Sequence, residues 1–253
     1  MNEKNRPTTT TGCTPEQRQL NVDCAHCSIR NRMLFADVDV EAASVLLKPV
    51  SHIWYLPTET LFQQGEKPKA LYSVRRGIIK LSLVSPEGDL RIARLVGPGA
   101  VIGLEALLGQ PYQHSATPLI ASDVCRLPAS IVKQLSAEQP LLYQRLMLQW
   151  QQQVSSADAH LLQLSTGAVR KRLLNLMEFM ASLCAKGETD FILPHNKDCA
   201  ALVGARVESV SREIAAFKRS GFLEKNTAGN WILSRSGLVS SKADTILPQP
   251  TQD

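Results

Sequence analysis

At 253 residues and 44% hydrophobic content the chain is long enough for two domains and can bury a sizeable core, and no apolar run in it approaches the about 18 residues a membrane-spanning helix needs. The polar N-terminus MNEKNRPTTTTG lacks the apolar stretch of a signal peptide, so the expected location is the cytoplasm, where six cysteines point to thiol, metal or redox chemistry before a disulfide framework. The net charge of +5 is informative by its placement: 11 Lys and Arg against 7 Asp and Glu lie between Thr166 and Val239, so most of the excess is C-terminal.

Residues 1–20 are Thr-rich and too poor in apolar side chains to fold alone, and they predict a disordered N-terminus. Next comes NVDCAHCSIRNRMLF, in which Cys24 and Cys27 are spaced C-x-x-C. That spacing by itself leaves zinc, iron–sulfur and redox roles open, beside two inert thiols. From about Ser51 to Pro128 the strand-like runs LYSVRRGIIKLSLVS, DLRIARLV and ASDVCRLP are broken by glycines, the pattern of an antiparallel β-roll or barrel. With the cysteine segment this makes a sensor domain over residues 21–137.

Glu138 to Leu164 reads as one long helix, assigned to residues 138–165. Its residues Tyr143, Met147, Trp150, Val154, Ala157, Leu161 and Leu164 alternate at spacings of four and three, which is the a/d seam of a two-stranded coiled coil and predicts a homodimer. Gln151, Gln152 and Gln153 fall on its solvated face. Thr166 is placed to cap the next helix, whose Leu173, Leu176, Met177 and Met180 form an apolar base, with Arg170, Lys171 and Arg172 in its first turn. Cys184 and Cys199 lie on apolar helical stripes and read as small core residues.

In the stretch Asn196 to Gly221, Cys199, Leu202 and Val203 mark a short helix and Gly204 supplies a tight turn. Val207, Val210, Ile214 and Phe217 then recur at helical spacing. This is a helix-turn-helix pattern. Glu208, Ser209, Ser211, Arg212, Lys218 and Arg219 lie off the apolar stripe, on a face suited to base edges; a solvated amphipathic helix is the plainer alternative. Two short apolar runs separated by Asn226 to Asn230 then signal a hairpin, so residues 166–239 are expected to form a winged helix, followed by an unstructured tail, 240–253.

Helix-turn-helix plus hairpin, with Val207, Glu208, Ser211 and Arg212 spelling V-E-x-x-S-R, resembles the Crp/Fnr superfamily of bacterial transcription regulators over about residues 24 to 239. The resemblance implies an α+β chain: an N-terminal antiparallel β-roll of the cyclic-nucleotide-binding kind, a long dimerisation helix and a C-terminal winged helix-turn-helix. It implies that Arg212 donates to guanine, Glu208 accepts from cytosine and Ser211 touches thymine, with Val207, Ser209 and Lys218 in the same interface. Val207, where the cAMP-receptor subgroup carries Arg, favours an Fnr-like TTGA-N-TCAA palindrome. Double-stranded DNA and RNA polymerase are the implied partners, and oxygen or redox state the implied signal.

In oxygen-sensing Fnr regulators a cysteine pair spaced this way is followed, after five intervening residues, by a third cysteine, with a fourth in the β-roll, holding an iron–sulfur cluster. Cys24, Cys27 and Cys125 match three ligands, but the remaining position is Met33, whose thioether is a poor substitute for a thiolate on iron. Cys13 or His26 is then left to supply the fourth ligand, and a thiol sensor without a cluster is the alternative. In the β-roll, Glu105 stands near the ribose position of a cyclic nucleotide, but His114 replaces the arginine that neutralises its phosphate, which argues against cAMP.

No catalytic constellation is present: the histidines form no H-E-x-x-H pair, and no P-loop or G-x-S-x-G occurs. The rival from another class is a small-ligand sensor or regulatory subunit that acts by protein contacts.

Overall fold

Strands come first because the sequence alternates. A computed structural model describes residues 15–21, 24, 26–27, 29–39, 43–57, 59–84, 86, 88, 90–183, 192–225 and 231–233. The chain divides into two compact units, residues 1–158 and 159–253.

In the first unit β1 (Gln19–Asn21), β2 (Ser51–Tyr55), β3 (Ala70–Arg76), β4 (Ile79–Val84), β5 (Leu90–Val96), β6 (Val101–Ile102), β7 (Ser115–Pro118) and β8 (Ser122–Pro128) form two antiparallel sheets. Their orders are β1-β2-β8-β3-β6 and β5-β4-β7. Residues 15–20, expected to be disordered, instead make a 3-10 turn and β1, because Leu20 and its neighbours pair along the edge of β2 while Arg18 ion-pairs with Glu59. Between Val74 and Ile79 the chain turns at Gly77, whose φ of +93° suits glycine; a Cβ there would also strike Ser122.

The two faces of the larger sheet serve two cores. Tyr72, Val74 and Val124 face the inside of the roll with Ile53, Phe62, Ile79 and Leu81. Leu71, Cys125 and Leu127, one residue out of phase, face a second core built by Met33, Leu34, Phe35 and Val38 with Leu135, Leu142 and Leu146. This alternation along β8 turns the Cys125 side chain toward the segment that carries Cys24 and Cys27.

Short helices α1 (Ser44–Leu47) and α2 (Glu105–Leu108) are followed by α3 (Ala129–Glu138) and α4 (Pro140–Ser165). Glu138, assigned to the long helix by its apolar spacing, ends α3 instead. Pro140 pushes the preceding residue out of the helical region, and Gln139 has φ −130° and ψ 92°. Proline then suits the first turn of α4, where its missing N–H costs nothing. Gln151 and Gln152 are exposed, but Gln153 is not solvated: its Nε2 donates to the Val101 carbonyl, as that of Gln149 does to Gly99, replacing water with β-roll backbone.

The second unit holds α5 (Val169–Leu183), α6 (Asn196–Val203), α7 (Val207–Arg219), β9 (Leu223–Lys225) and β10 (Trp231–Leu233), the strands paired antiparallel. Thr166 does not cap α5. Its Oγ1 donates back to the Leu162 carbonyl, and α5 begins at Val169. Leu173, Leu176, Met177 and Met180 of α5 are buried with Cys199, Val203, Val210, Ile214 and Phe217. Phe217 is fully buried, and truncating it to Ala would cost about 3–5 kcal/mol. Cys13, Cys184, the hairpin turn Asn226–Asn230 and the tail 240–253 lie outside the described residues.

Candidate nucleic-acid interface and cysteine cavity

The turn between α6 and α7 is made by Gly204, left-handed at φ 59°, and held by Arg172, whose Nη1 donates to the carbonyls of Val203 and Gly204. That fixes the entry of α7. Its stripe Val210, Ile214 and Phe217 is buried, which leaves Glu208, Ser211, Arg212, Lys218 and Arg219 exposed at i, i+3, i+4 spacing on the opposite face. Val207 is 37% exposed, and Ser209 is half-buried at the edge of this face. Glu208 in the first turn and Lys218 and Arg219 in the last also suit the helix dipole.

Not every basic side chain nearby is available to an anion. Arg170 ion-pairs with Glu213 at 3.3 Å and lies 4.6 Å from the Phe217 ring centroid, and Arg172 is spent on the turn, so of that basic first turn Lys171 alone is exposed and without such a role. Lys218 Nζ stands 4.1 Å and Lys225 Nζ 5.3 Å from the ring centroid of Trp231 on β10. Trp231 was missed in the sequence because nothing local ties it to α7; it positions Lys218 by a cation–π contact.

On α4 the apolar residues Tyr143, Met147, Trp150, Val154 and Leu161 are 40–68% exposed in the single chain. Such a row of large apolar groups on one helix marks an interaction face. Ala157 is half-buried, and Leu164 is buried at 6% exposure in the chain's own core.

The structure brings Cys24, Cys27 and Cys125 to one small cavity of about 30 Å³, which Arg30, Met33 and Ser73 also line. All three are thiols, not disulfides. Strand register sets Cys125 opposite Ser73 on β3 and His52 on β2. Met33 is 7% exposed, and its sulfur accepts from Ser73 Oγ at 3.6 Å. Arg75, unforeseen in the sequence, is the extra residue of a β-bulge between Val74 and Arg76. Its Nη1 donates to Asp123 Oδ2 at 2.9 Å and contacts His52 Nδ1 at 2.8 Å. Burial works against the charge of Arg75, but Asp123, Cys125 and Cys27 more than offset it and raise its pKa. Burial pushes the Cys125 thiol up to about 12, with Arg75 opposing.

These residues do not fit a four-thiolate iron–sulfur cluster. The described donors stop at three thiols and a thioether already packed into the core, and among the described residues no three His, Cys, Asp or Glu side chains form a metal-holding group. A space of about 30 Å³ holds one or two water-sized guests.

A larger cavity of about 330 Å³ opens beside α2 and α4, lined by Arg94, Glu105 and His114 among apolar side chains that include Phe62, Tyr143 and Trp150. Arg94 has no local signal in the sequence; it pairs with Leu81 as Val96 pairs with Ile79, and since Ile79, Leu81 and Val96 all face the inside of the roll, this register turns Arg94 inward. Burial lowers the pKa of Arg94 against the pull of Glu105; burial and then Arg94 lower that of His114. Glu105 Oε1 accepts from the Gln113 N–H at 3.2 Å.

The profile of the cyclic nucleotide-binding domain matches residues 52–139. Over 170 residues the chain is 29% identical to electron transport regulator A of Shewanella oneidensis, covering 66% of this chain and 68% of that protein. It is 27% identical over 229 residues to the transcriptional activator protein FnrA of Stutzerimonas stutzeri, covering 88% and 93%. The solved structure of FixK2 from Bradyrhizobium japonicum shares the fold, with a TM-score of 0.67 at 20% identity over 79% of this chain and 99% of that one.

Proposed function

The chain belongs to the Crp/Fnr superfamily of transcription regulators, and from that premise we propose that it is a homodimeric, redox-responsive regulator that reads an Fnr-like TTGA-N-TCAA palindrome. It is a regulator and not an enzyme. One observation carries the reading: Glu208, Ser211 and Arg212 stand exposed together on the second helix of a helix-turn-helix whose apolar stripe, Val210, Ile214 and Phe217, is buried. A guanidinium, a carboxylate and a hydroxyl at that spacing match guanine, cytosine N4 and the thymine edge. Side chains retained on such a face also argue against a subunit that acts by protein contacts alone.

The exposed row on α4 supports a two-fold dimer, because one α7 reads one half-site and a palindrome needs two. Double-stranded DNA and RNA polymerase are the partners. Cys24 and Cys27, beside the buried Cys125, carry the redox response as thiols. The larger cavity is not assigned to cAMP: Glu105, the ribose-type carboxylate, faces Arg94 and is bonded to Gln113, and His114 is held toward its neutral form. Among the described residues no helix is long and apolar enough to cross a membrane.

A gel shift at fixed salt with the palindrome and with a scrambled duplex of the same composition tests the reading. The palindrome is expected to bind at least about a thousandfold more tightly; equal affinity for the two duplexes rejects sequence-specific regulation.

A further inference from the structure

Three thiols at one small cavity, two of them within reach of a fixed cation, have a use that does not need a metal. We propose that Cys24 and Cys27 are a peroxide-reactive dithiol pair, with Cys27 the attacking sulfur, Cys24 the resolving one and Arg75 a positioning residue. This rests on the reading of the chain as a redox-responsive regulator, and it names the residues and the oxidant.

The cavity that Cys24, Cys27 and Cys125 line is about 30 Å³, room for a guest the size of one or two waters. Hydrogen peroxide is such a guest; an inorganic cluster is not. The three thiols are unequal. Cys125 is buried in β8, paired by β2 on one side and β3 on the other, and burial keeps it a thiol. Cys24 and Cys27 are half-buried and share one stretch of chain ahead of the 3-10 turn Arg30–Arg32, so these two can close on each other without breaking a sheet. Of this pair Cys27 acts on the Arg75 guanidinium, helping to raise its pKa, which puts that sulfur within the reach of the fixed charge. The bulge at Val74/Arg76 aims that guanidinium, and Asp123 and His52 hold it.

The chemistry balances with peroxide as the only oxidant. The Cys27 sulfur attacks one peroxide oxygen: an S–O bond forms, the O–O bond breaks, and the thiol proton leaves with the other oxygen as water. Cys24 sulfur then attacks the Cys27 sulfenic acid: the S–S bond forms, the S–O bond breaks, and a second water carries off the Cys24 proton. Two electrons pass from the sulfurs to peroxide. The Cys27 sulfur can carry no negative charge in the disulfide, and Arg75 is left with His52 and Asp123, which ties the oxidation state to strands β2, β3 and β8.

The test treats the full-length reduced protein with hydrogen peroxide, alkylates the remaining thiols and maps the peptides by mass spectrometry. A Cys24–Cys27 link with Cys125 and Cys199 alkylated is the expected result. A link through Cys125, or all thiols still alkylated, overturns the proposal, as does stoichiometric iron and sulfide in protein purified without oxygen. Cys24→Ser should accumulate a sulfenic acid on Cys27 that a 1,3-dione reagent traps; no adduct on Cys27 rejects it as the attacking sulfur. Arg75→Met should slow oxidation about tenfold and Arg75→Lys restore most of the rate; an unchanged rate in Arg75→Met removes Arg75 from the site. The gel shift of the reduced protein reads DNA recognition separately, so thiols that fail to react leave that result standing, and a failed gel shift leaves the thiol map standing.

Discussion

Protonating His160 tests how the second unit is held together. The ring is 7% exposed and sits edge-on to Phe179, centroids 3.8 Å apart. Burial pushes its pKa down to about 4 from the ordinary 6.5. The unfolded chain therefore binds this proton more readily than the folded one, so the stability the neutral ring confers is complete above about pH 6.5 and is lost as pH falls toward 4. The shift bounds the whole effect at about 3 kcal/mol, of which roughly 2 kcal/mol is gone at about pH 5. For a unit of this size 1 kcal/mol moves Tm by about 4–8 °C, so the transition of residues 159–253 should fall by roughly 10 °C between about pH 7.5 and pH 5. Calorimetry on the full chain and on His160→Leu, which cannot be protonated, reads this as a difference in slope, since carboxylates elsewhere titrate alike in both. Parallel slopes would refute the reasoning.

Added cAMP should change neither the melting temperature nor the affinity for DNA, since a ligand stabilises only the state it binds; a saturable melting shift at micromolar cAMP would reassign the 330 Å³ cavity. Sedimentation should find a dimer at micromolar concentration with and without oxygen, because no charged residue interrupts the α4 row from Tyr143 to Leu161, and Ala157→Asp should weaken association by several kcal/mol. A monomer in air that dimerises only anaerobically would show that this row does not set the oligomeric state. Trp231→Ala should weaken binding to all duplexes alike by releasing Lys218, as Lys218→Ala should directly; a changed base preference in either variant would contradict a phosphate role.

How much of this was legible depends on whether a residue's role is local. The stripe Val210, Ile214, Phe217 and the glycine turn before it are written in adjacent residues, and α6 and α7 form where the spacing puts them. The break at Gln139 is equally local, but apolar spacing alone hides it, since the spacing continues across Pro140, a residue that begins a helix but cannot continue one. The meeting of Cys24 and Cys27 with Cys125 was visible only through family resemblance; alternation along β8 says that Cys125 and Val124 face opposite ways, but not what covers either face. Arg75 was hidden because a bulge has no sequence signature as simple as a period, and Arg94 because a charge on a strand reads as solvent-facing until its pairing with the inward Leu81 is known. Gln153, unlike its exposed neighbours Gln151 and Gln152, misleads for a related reason: an amide looks solvated on a helical wheel, yet here it satisfies the Val101 carbonyl. Leu164 keeps the seam's spacing but is buried within its own chain, since spacing alone does not tell a partner helix from a neighbouring one.

The central claim is that α7 reads bases, and one measurement meets it most directly: the base preference of Arg212→Ala, by competition binding against palindromes varied at each position of the half-site. With Arg212 donating bidentately to guanine, the variant should lose about 1–3 kcal/mol on TTGA-N-TCAA and lose discrimination at that one base pair while keeping it at the others. An unchanged preference at every position, whatever the loss in total affinity, would contradict the account.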